Sequence, residues 1–85
     1  MPNLPDDASL PDDIPTLEAQ IGEIEQAKAD CEAALRRLTE AEDHAKGVFF
    51  AQEIHEARQL RLQLEVQKEL RRVRINRIRL NVSPF

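Results

Sequence analysis

The fold is decided by residues 10–45, which read LPDDIPTLEAQIGEIEQAKADCEAALRRLTEAEDHA. Along this stretch, residues on one helix face recur in alternating steps of four and three, and most of them are apolar. We call these positions the seam: Leu10, Ile14, Leu17, Ile21, Ile24, Lys28, Cys31, Leu35, Leu38, Glu42 and Ala45. Such 4–3 spacing is typical of a helix that packs lengthwise against another helix.

The residues around the start of the seam predict where the helix begins. Residues 1–13 contain three prolines and four aspartates, which predicts an acidic, flexible arm. Asp12 or Asp13 would cap the helix, and Pro15 suits its first turn. We therefore expect a first helix over about 14–45.

The seam loses its phase near Gly47, which follows Lys46. A glycine beyond a helix that ends on a basic residue predicts a chain reversal, here at about 44–48. A second helix over about 48–78 would match the first in length. Two alternatives stay open: a turn near Thr39, since Thr39-x-x-Glu42 resembles a capping box, and one continuous helix.

The charge distribution favours the hairpin. Residues 1–46 carry twelve acidic and four basic residues, and residues 47–85 carry four acidic and eight basic ones. Folding back would place the arginines of the second half beside the acidic start of the chain, which opposes other orientations. The predicted fold is all-α: an antiparallel, coiled-coil-like hairpin of two helices that pairs into a helical bundle.

The second helix is apolar on two opposite faces. At 100° per residue, one face gathers Phe50, Ala57, Leu60, Leu64, Ile75 and Ile78, with Ile54 at its edge. The other face gathers Leu62, Val66, Leu70, Val73 and Leu80. One helix can cover only the first face, and soluble proteins rarely leave such a patch in water. We therefore predict a partner interface on the second face, with Phe49 and Phe50 at the turn as further anchors.

The end of the second helix is open to two interpretations. From Ile78 to Val82 apolar and polar residues alternate, which is the period of a strand. A fraying helix is the other interpretation. Residues 81–85 are predicted to form a C-terminal tail.

The sequence lacks the residue patterns that several kinds of functional site require. No nucleophile stands near a base at a useful spacing, so we expect no enzyme, and we expect no cofactor. His44 and His55 match no metal-ligand spacing. The single cysteine, Cys31, cannot form an internal disulfide, and no apolar stretch has the length of a membrane span. We expect a cytoplasmic protein without membrane contact.

The predicted function is protein–protein interaction: a small adaptor, chaperone or inhibitor that forms a homodimer, binds another protein, or does both. Small arginine-rich chains of this kind are frequent among phage and mobile-element accessory proteins and secretion-system subunits. One alternative is a nucleic-acid-binding hairpin that uses the basic 71–79 segment, with contacts from Arg71, Arg72, Arg74, Arg77 and Arg79. Another is a structural coiled-coil subunit.

Overall fold

The computed structural model describes residues 10–82 and contains two helices, α1 (Ile14–Ala41) and α2 (Ala51–Val82). They lie antiparallel and pack along their length, so the predicted all-α helical hairpin is confirmed. Most of the predicted arm (1–9) and most of the tail (83–85) lie outside the described residues.

The helix bounds differ from the expected ones at three places. α1 ends at Ala41 rather than near 45, and α2 begins at Ala51 rather than near 48. The connection is therefore longer than expected, because Glu42 has left the helix with an extended backbone (φ −65°, ψ 139°). At its far end α2 continues to Val82, so the segment 78–82 is helical and not a strand.

The connection between the helices contains a tight turn, in which Asp43 and Val48 exchange two backbone hydrogen bonds of 2.9 and 2.8 Å. Gly47 has a φ of 69°, a left-handed conformation that is costly for residues with a Cβ. The Asp43 side chain accepts hydrogen bonds from the amides of Ala45 and Lys46. Gly47 thus closes a turn, as expected, but lies six residues beyond the end of α1 rather than directly after it.

At the start of each helix, a carboxylate accepts a hydrogen bond from a backbone amide that has no partner within the helix. Asp13 caps α1 by accepting from the amide of Thr16 at 2.9 Å and from its hydroxyl, and these bonds lower the pKa of Asp13. α2 has no Ser, Thr, Asp or Asn before it. Instead Glu42, the C-cap residue that follows α1, accepts from the amide of Phe50 at 3.1 Å, so a residue of the connection caps the second helix.

The core follows the seam. Leu10, Leu17, Ile24 and Cys31 are seven residues apart, and all four are buried. α2 contributes three buried apolar residues to this core: Ile54, Leu64 and Ile75. Cys31 is buried on the seam as its apolar neighbours are. Its thiol donates to the carbonyl of Ala57 on α2 at 3.0 Å.

Leu10 precedes α1 and yet belongs to the core. It packs with Leu17 and Ile75 at the open end of the hairpin and is only 6 % exposed. Beside it, the Asp12 carboxylate lies 3.2 Å from Arg74. The last residues of the predicted flexible arm are therefore packed against both helices.

Lys28 interrupts the seam with a charge, and its ammonium binds the carboxylate of Glu65 on α2. Lys68 lies 3.4 Å from the same carboxylate. The hydrogen bond between Lys28 and Glu65 raises the pKa of Lys28 and lowers that of Glu65. A polar seam position of this kind favours one register of the two helices over shifted ones.

The two glycines should respond in opposite directions to the same substitution. Gly47→Ala is expected to lower the free energy of unfolding by about 1 kcal/mol, because a left-handed φ strains a residue with a Cβ. Gly22→Ala should raise it by about 0.5–1 kcal/mol, since Gly22 is exposed inside α1 and an added Cβ meets no atom within 4 Å. Denaturant unfolding followed by circular dichroism measures both. Equal signs would contradict the backbone argument, since neither methyl group gains or loses a neighbour.

Candidate interaction face of the second helix

α2 carries a row of large aliphatic side chains in solvent. The exposed fractions are 58 % for Leu62, 56 % for Val66, 43 % for Val73 and 75 % for Leu80. We call these four residues the outer stripe. At 100° per residue they fall within 40° of one another, so they form one continuous apolar surface along the last two thirds of the helix.

The outer stripe points directly away from α1. The buried residues Leu64, Arg71 and Ile75 lie on the opposite side of α2, roughly 180° around the helix axis from Leu62 and Val73. No other described element covers the stripe, because the described chain consists of the two helices and the segments at their ends. The two apolar faces expected for the second helix are therefore present.

The edges of the two faces differ from expectation. Leu70, placed on the second face, is half-buried and packs against the cluster of Leu10, Leu17 and Ile75. Leu60, placed on the first face, is 39 % exposed. Leu70 lies about 80° around the helix axis from Leu62, at the boundary between the two faces, where packing decides which side chain is covered.

The two phenylalanines at the turn lie in different surroundings. Phe49 is 54 % exposed, and its ring meets that of His44 edge to face at a centroid distance of 5.0 Å. Phe50 is half-buried at the start of α2. Phe49 thus adds an exposed aromatic group at the tip of the hairpin, far from the outer stripe.

The centre of the stripe is concave. Val66, Leu70 and Val73 line a shallow groove of about 340 Å³ whose wall is almost wholly apolar. Its rim carries two acids and one base: Glu65, Glu69 and Arg77. A side chain of a partner could enter this groove and meet charged groups of both signs around it.

A second 4–3 repeat underlies the stripe. The exposed positions Leu62, Val66, Glu69, Val73, Asn76 and Leu80 follow one another in steps of four, three, four, three and four. Sequence reasoning missed this repeat because Glu69 and Asn76 interrupt the apolar pattern. The spacing itself was the signal, and it is typical of a helix that packs lengthwise on another helix.

The five arginines of the 71–79 segment do not form one surface. Arg71 is 3 % exposed; its guanidinium donates to the Gln20 side chain and to the side chain and carbonyl of Gln67, all at 2.9 Å. Burial lowers the pKa of Arg71. Such a residue cannot contact a phosphate on the surface, which removes Arg71 from the predicted nucleic-acid contacts.

The other four arginines are distributed around α2. Arg72 binds Glu69 at 3.0 Å on the same helix, and Arg74 binds Asp12. Arg77 lies on the rim of the apolar groove, and Arg79 lines a separate groove between the helices together with Glu18 and Glu25. Acids thus accompany each of these arginines, which weakens a joint attraction for phosphate.

Further features of the described residues concern metals and membranes. Within residues 10–82 no three His, Cys, Asp or Glu side chains come together to hold a metal ion. Neither α1 nor α2 has the length and apolar character that crossing a bilayer requires.

Comparisons with protein-family models, curated proteins and solved structures found no match to this chain.

Proposed function

We propose that this chain is a non-enzymatic protein–protein interaction module that binds its partner through the outer stripe of α2. The observation that carries the proposal is the exposure of Leu62, Val66, Val73 and Leu80 on the face of α2 opposite α1. Fully burying one such side chain contributes roughly 1.5–3 kcal/mol. Covering the stripe therefore outweighs the exposed ion pairs of the hairpin, which contribute about 0–1 kcal/mol each.

The 4–3 spacing of the stripe favours a helical partner. Residues repeated in this way present a straight apolar line along a helix, and the complementary shape is another helix laid beside it. The concave centre between Val66 and Val73 provides a place for a partner's side chain. An adaptor, a chaperone and an inhibitor would each use such a surface, and they differ in what the partner does.

Charge supports a protein partner over nucleic acid. The chain carries a formal net charge of −4, and two arginines of the basic segment, Arg72 and Arg74, already bind carboxylates. Affinity for nucleic acid comes mainly from bases that neutralise phosphates. Here Arg71 is buried and internal acids compete for Arg72 and Arg74.

The test is a pair of added charges on the stripe. The variant Leu62→Glu with Val66→Glu should lose partner binding completely, because two carboxylates would have to be buried in an apolar contact. The helix content should remain, since both side chains are exposed in the hairpin. Binding is measured by affinity capture from an extract of the source cell, with nuclease added, and by sedimentation of the pure protein.

A matched control places the same two charges on the other helix. Ala19 and Ala29 are exposed on α1, so Ala19→Glu with Ala29→Glu adds the same two negative charges without touching the stripe. This control should bind as the wild type does. Unchanged binding in the stripe variant, or equal loss in both variants, would refute the stripe as the functional surface.

A further inference from the structure

We propose that the partner on the outer stripe is a second copy of this chain, with the two α2 helices antiparallel. The proposal rests on the proposed function, since it names the partner of the same surface. It is carried by the charges along the two edges of the stripe: in one antiparallel register, an acidic residue on each edge lies opposite an arginine of the second copy.

The register follows from the 4–3 repeat. In an antiparallel pair, a residue that precedes a step of four faces a residue that precedes a step of three. Leu62 therefore lies against Val73 of the second copy, and Val66 lies against the stem of Glu69, whose carboxylate binds Arg72 at the edge of the stripe. The same register sets Gln59 against Asn76, an amide pair able to exchange hydrogen bonds. Two-fold symmetry repeats every pairing, so Leu62 and Val73 of the two copies meet twice, once on each side of the centre of the interface.

The edges of this register carry opposite charges. On one edge Glu65 faces Arg72 of the second copy, and on the other edge Glu56 faces Arg77. Symmetry doubles both pairs. All four side chains reach solvent in the hairpin: Glu56 and Arg77 are exposed, and the side chains of Glu65 and Arg72 are 42 % and 61 % accessible. Arg58 faces Arg79 at the two ends, where water screens their repulsion most.

Other arrangements match less well. In a parallel pair the repeat sets Glu69 against Glu69 in the centre and Arg72 against Arg77 on the edge, with no opposite pair. Sliding the antiparallel pair by seven residues in one direction keeps one kind of opposite pair, Glu65 with Arg79, and brings Arg72 against Arg72. Sliding it in the other direction brings Glu65 against Glu65 and Arg58 against Arg72. Like charges at such positions disfavour association. The charge pattern therefore selects one dimer.

The dimer leaves each α1 on the outside. Because the stripe faces away from α1, joining two stripes gives the order α1, α2, α2, α1 across the assembly. The two turns, with their exposed Phe49 rings, then lie at opposite ends. The Glu42 cap and the Lys28–Glu65 pair remain inside each hairpin and need no change on dimerisation.

The test exchanges one charge pair. Glu56→Arg and Arg77→Glu should each raise the dimer Kd about tenfold, because each creates two like-charge contacts. The combined variant should return to within about threefold of the wild type. Glu56 and Arg77 are about 30 Å apart along one helix, so their effects can cancel only between two copies. Sedimentation equilibrium measures Kd, and Glu23→Arg, exposed on α1, is the control for net charge.

A disulfide assay reports orientation independently. In a Cys31→Ser background, a chain with Leu62→Cys mixed with a chain with Val73→Cys should give a mixed disulfide dimer on mild oxidation. Leu62→Cys alone should give little, whereas in a parallel pair it would cross-link readily.

The outcomes separate this proposal from the proposed function. Additive losses in the combined charge variant, or cross-linking of Leu62→Cys alone, overturn the antiparallel register. A wild type that stays monomeric at its highest soluble concentration overturns the second copy as partner. In that last case the Leu62→Glu, Val66→Glu variant decides the proposed function separately, through its loss or retention of a captured protein relative to the Ala19→Glu, Ala29→Glu control.

Discussion

Leu17→Ala is expected to lower the free energy of unfolding by about 3 kcal/mol, the largest stability effect we expect of a single substitution here. Leu17 has no exposed surface, and it packs against Leu10 and Ile75 where the segment before α1 meets both helices. Truncation removes its apolar contacts and leaves a cavity that two rigid helices cannot close. Denaturant unfolding followed by circular dichroism measures the change.

The same substitution at Leu60 is the control. Leu60 lies on α2, outside the outer stripe, and is 39 % exposed. Leu60→Ala should therefore cost only about 1 kcal/mol, since much of the side chain already contacts water. Equal losses at Leu60 and Leu17 would show that the cluster of Leu10, Leu17 and Ile75 is not the tightly packed part of the hairpin.

Gln20→Ala is expected to lower the free energy of unfolding by about 2 kcal/mol through Arg71. The Gln20 side chain accepts a 2.9 Å hydrogen bond from the buried guanidinium of Arg71. Its removal leaves the Arg71 Nε–H without that acceptor, so the two acceptors on Gln67 alone offset the desolvation of the charge. In an Arg71→Met background the same Gln20→Ala change should cost well under half as much, because the buried charge is gone.

The control for this cycle is another glutamine of α1. Gln26 is exposed and bonds only Asp30, one turn away, so Gln26→Ala should change stability by no more than about 0.5 kcal/mol. The comparison of Gln20→Ala in the two backgrounds isolates the coupling with Arg71. A cost of Gln20→Ala that is identical with arginine and methionine at position 71 would show that the hydrogen bond does not stabilise the fold.

The first helix was largely predictable because its pattern is local. Leu10, Leu17, Ile24 and Cys31 recur every seven residues, and burial follows that recurrence. The end of the helix was not predictable from the same pattern, since Glu42 and Ala45 keep the spacing beyond Ala41. Periodicity reports which face is covered, and it does not report where the backbone leaves the helix.

The features that were missed depend on partners distant in sequence. Arg71 occupies the core face because Gln20, from the other helix, accepts its hydrogen bond. The cap of α2 was missed because Glu42, eight residues before Phe50, supplies it. The outer stripe was predicted from its apolar residues, whereas the partial burial of Leu70 against the core was not, since packing and not spacing decides how far a side chain at the edge of a helix face is covered.

The position of Leu10 also determines how small the hairpin can be made. A fragment cut at the cap residue Asp13 would keep both helices whole but would lose the side chain that closes their open end, and with it the Asp12–Arg74 ion pair. Leu17 and Ile75 would then meet water at the end opposite the turn. A fragment that keeps the packed end of the hairpin therefore includes Leu10, and a fusion partner or affinity tag belongs before that residue rather than directly against α1.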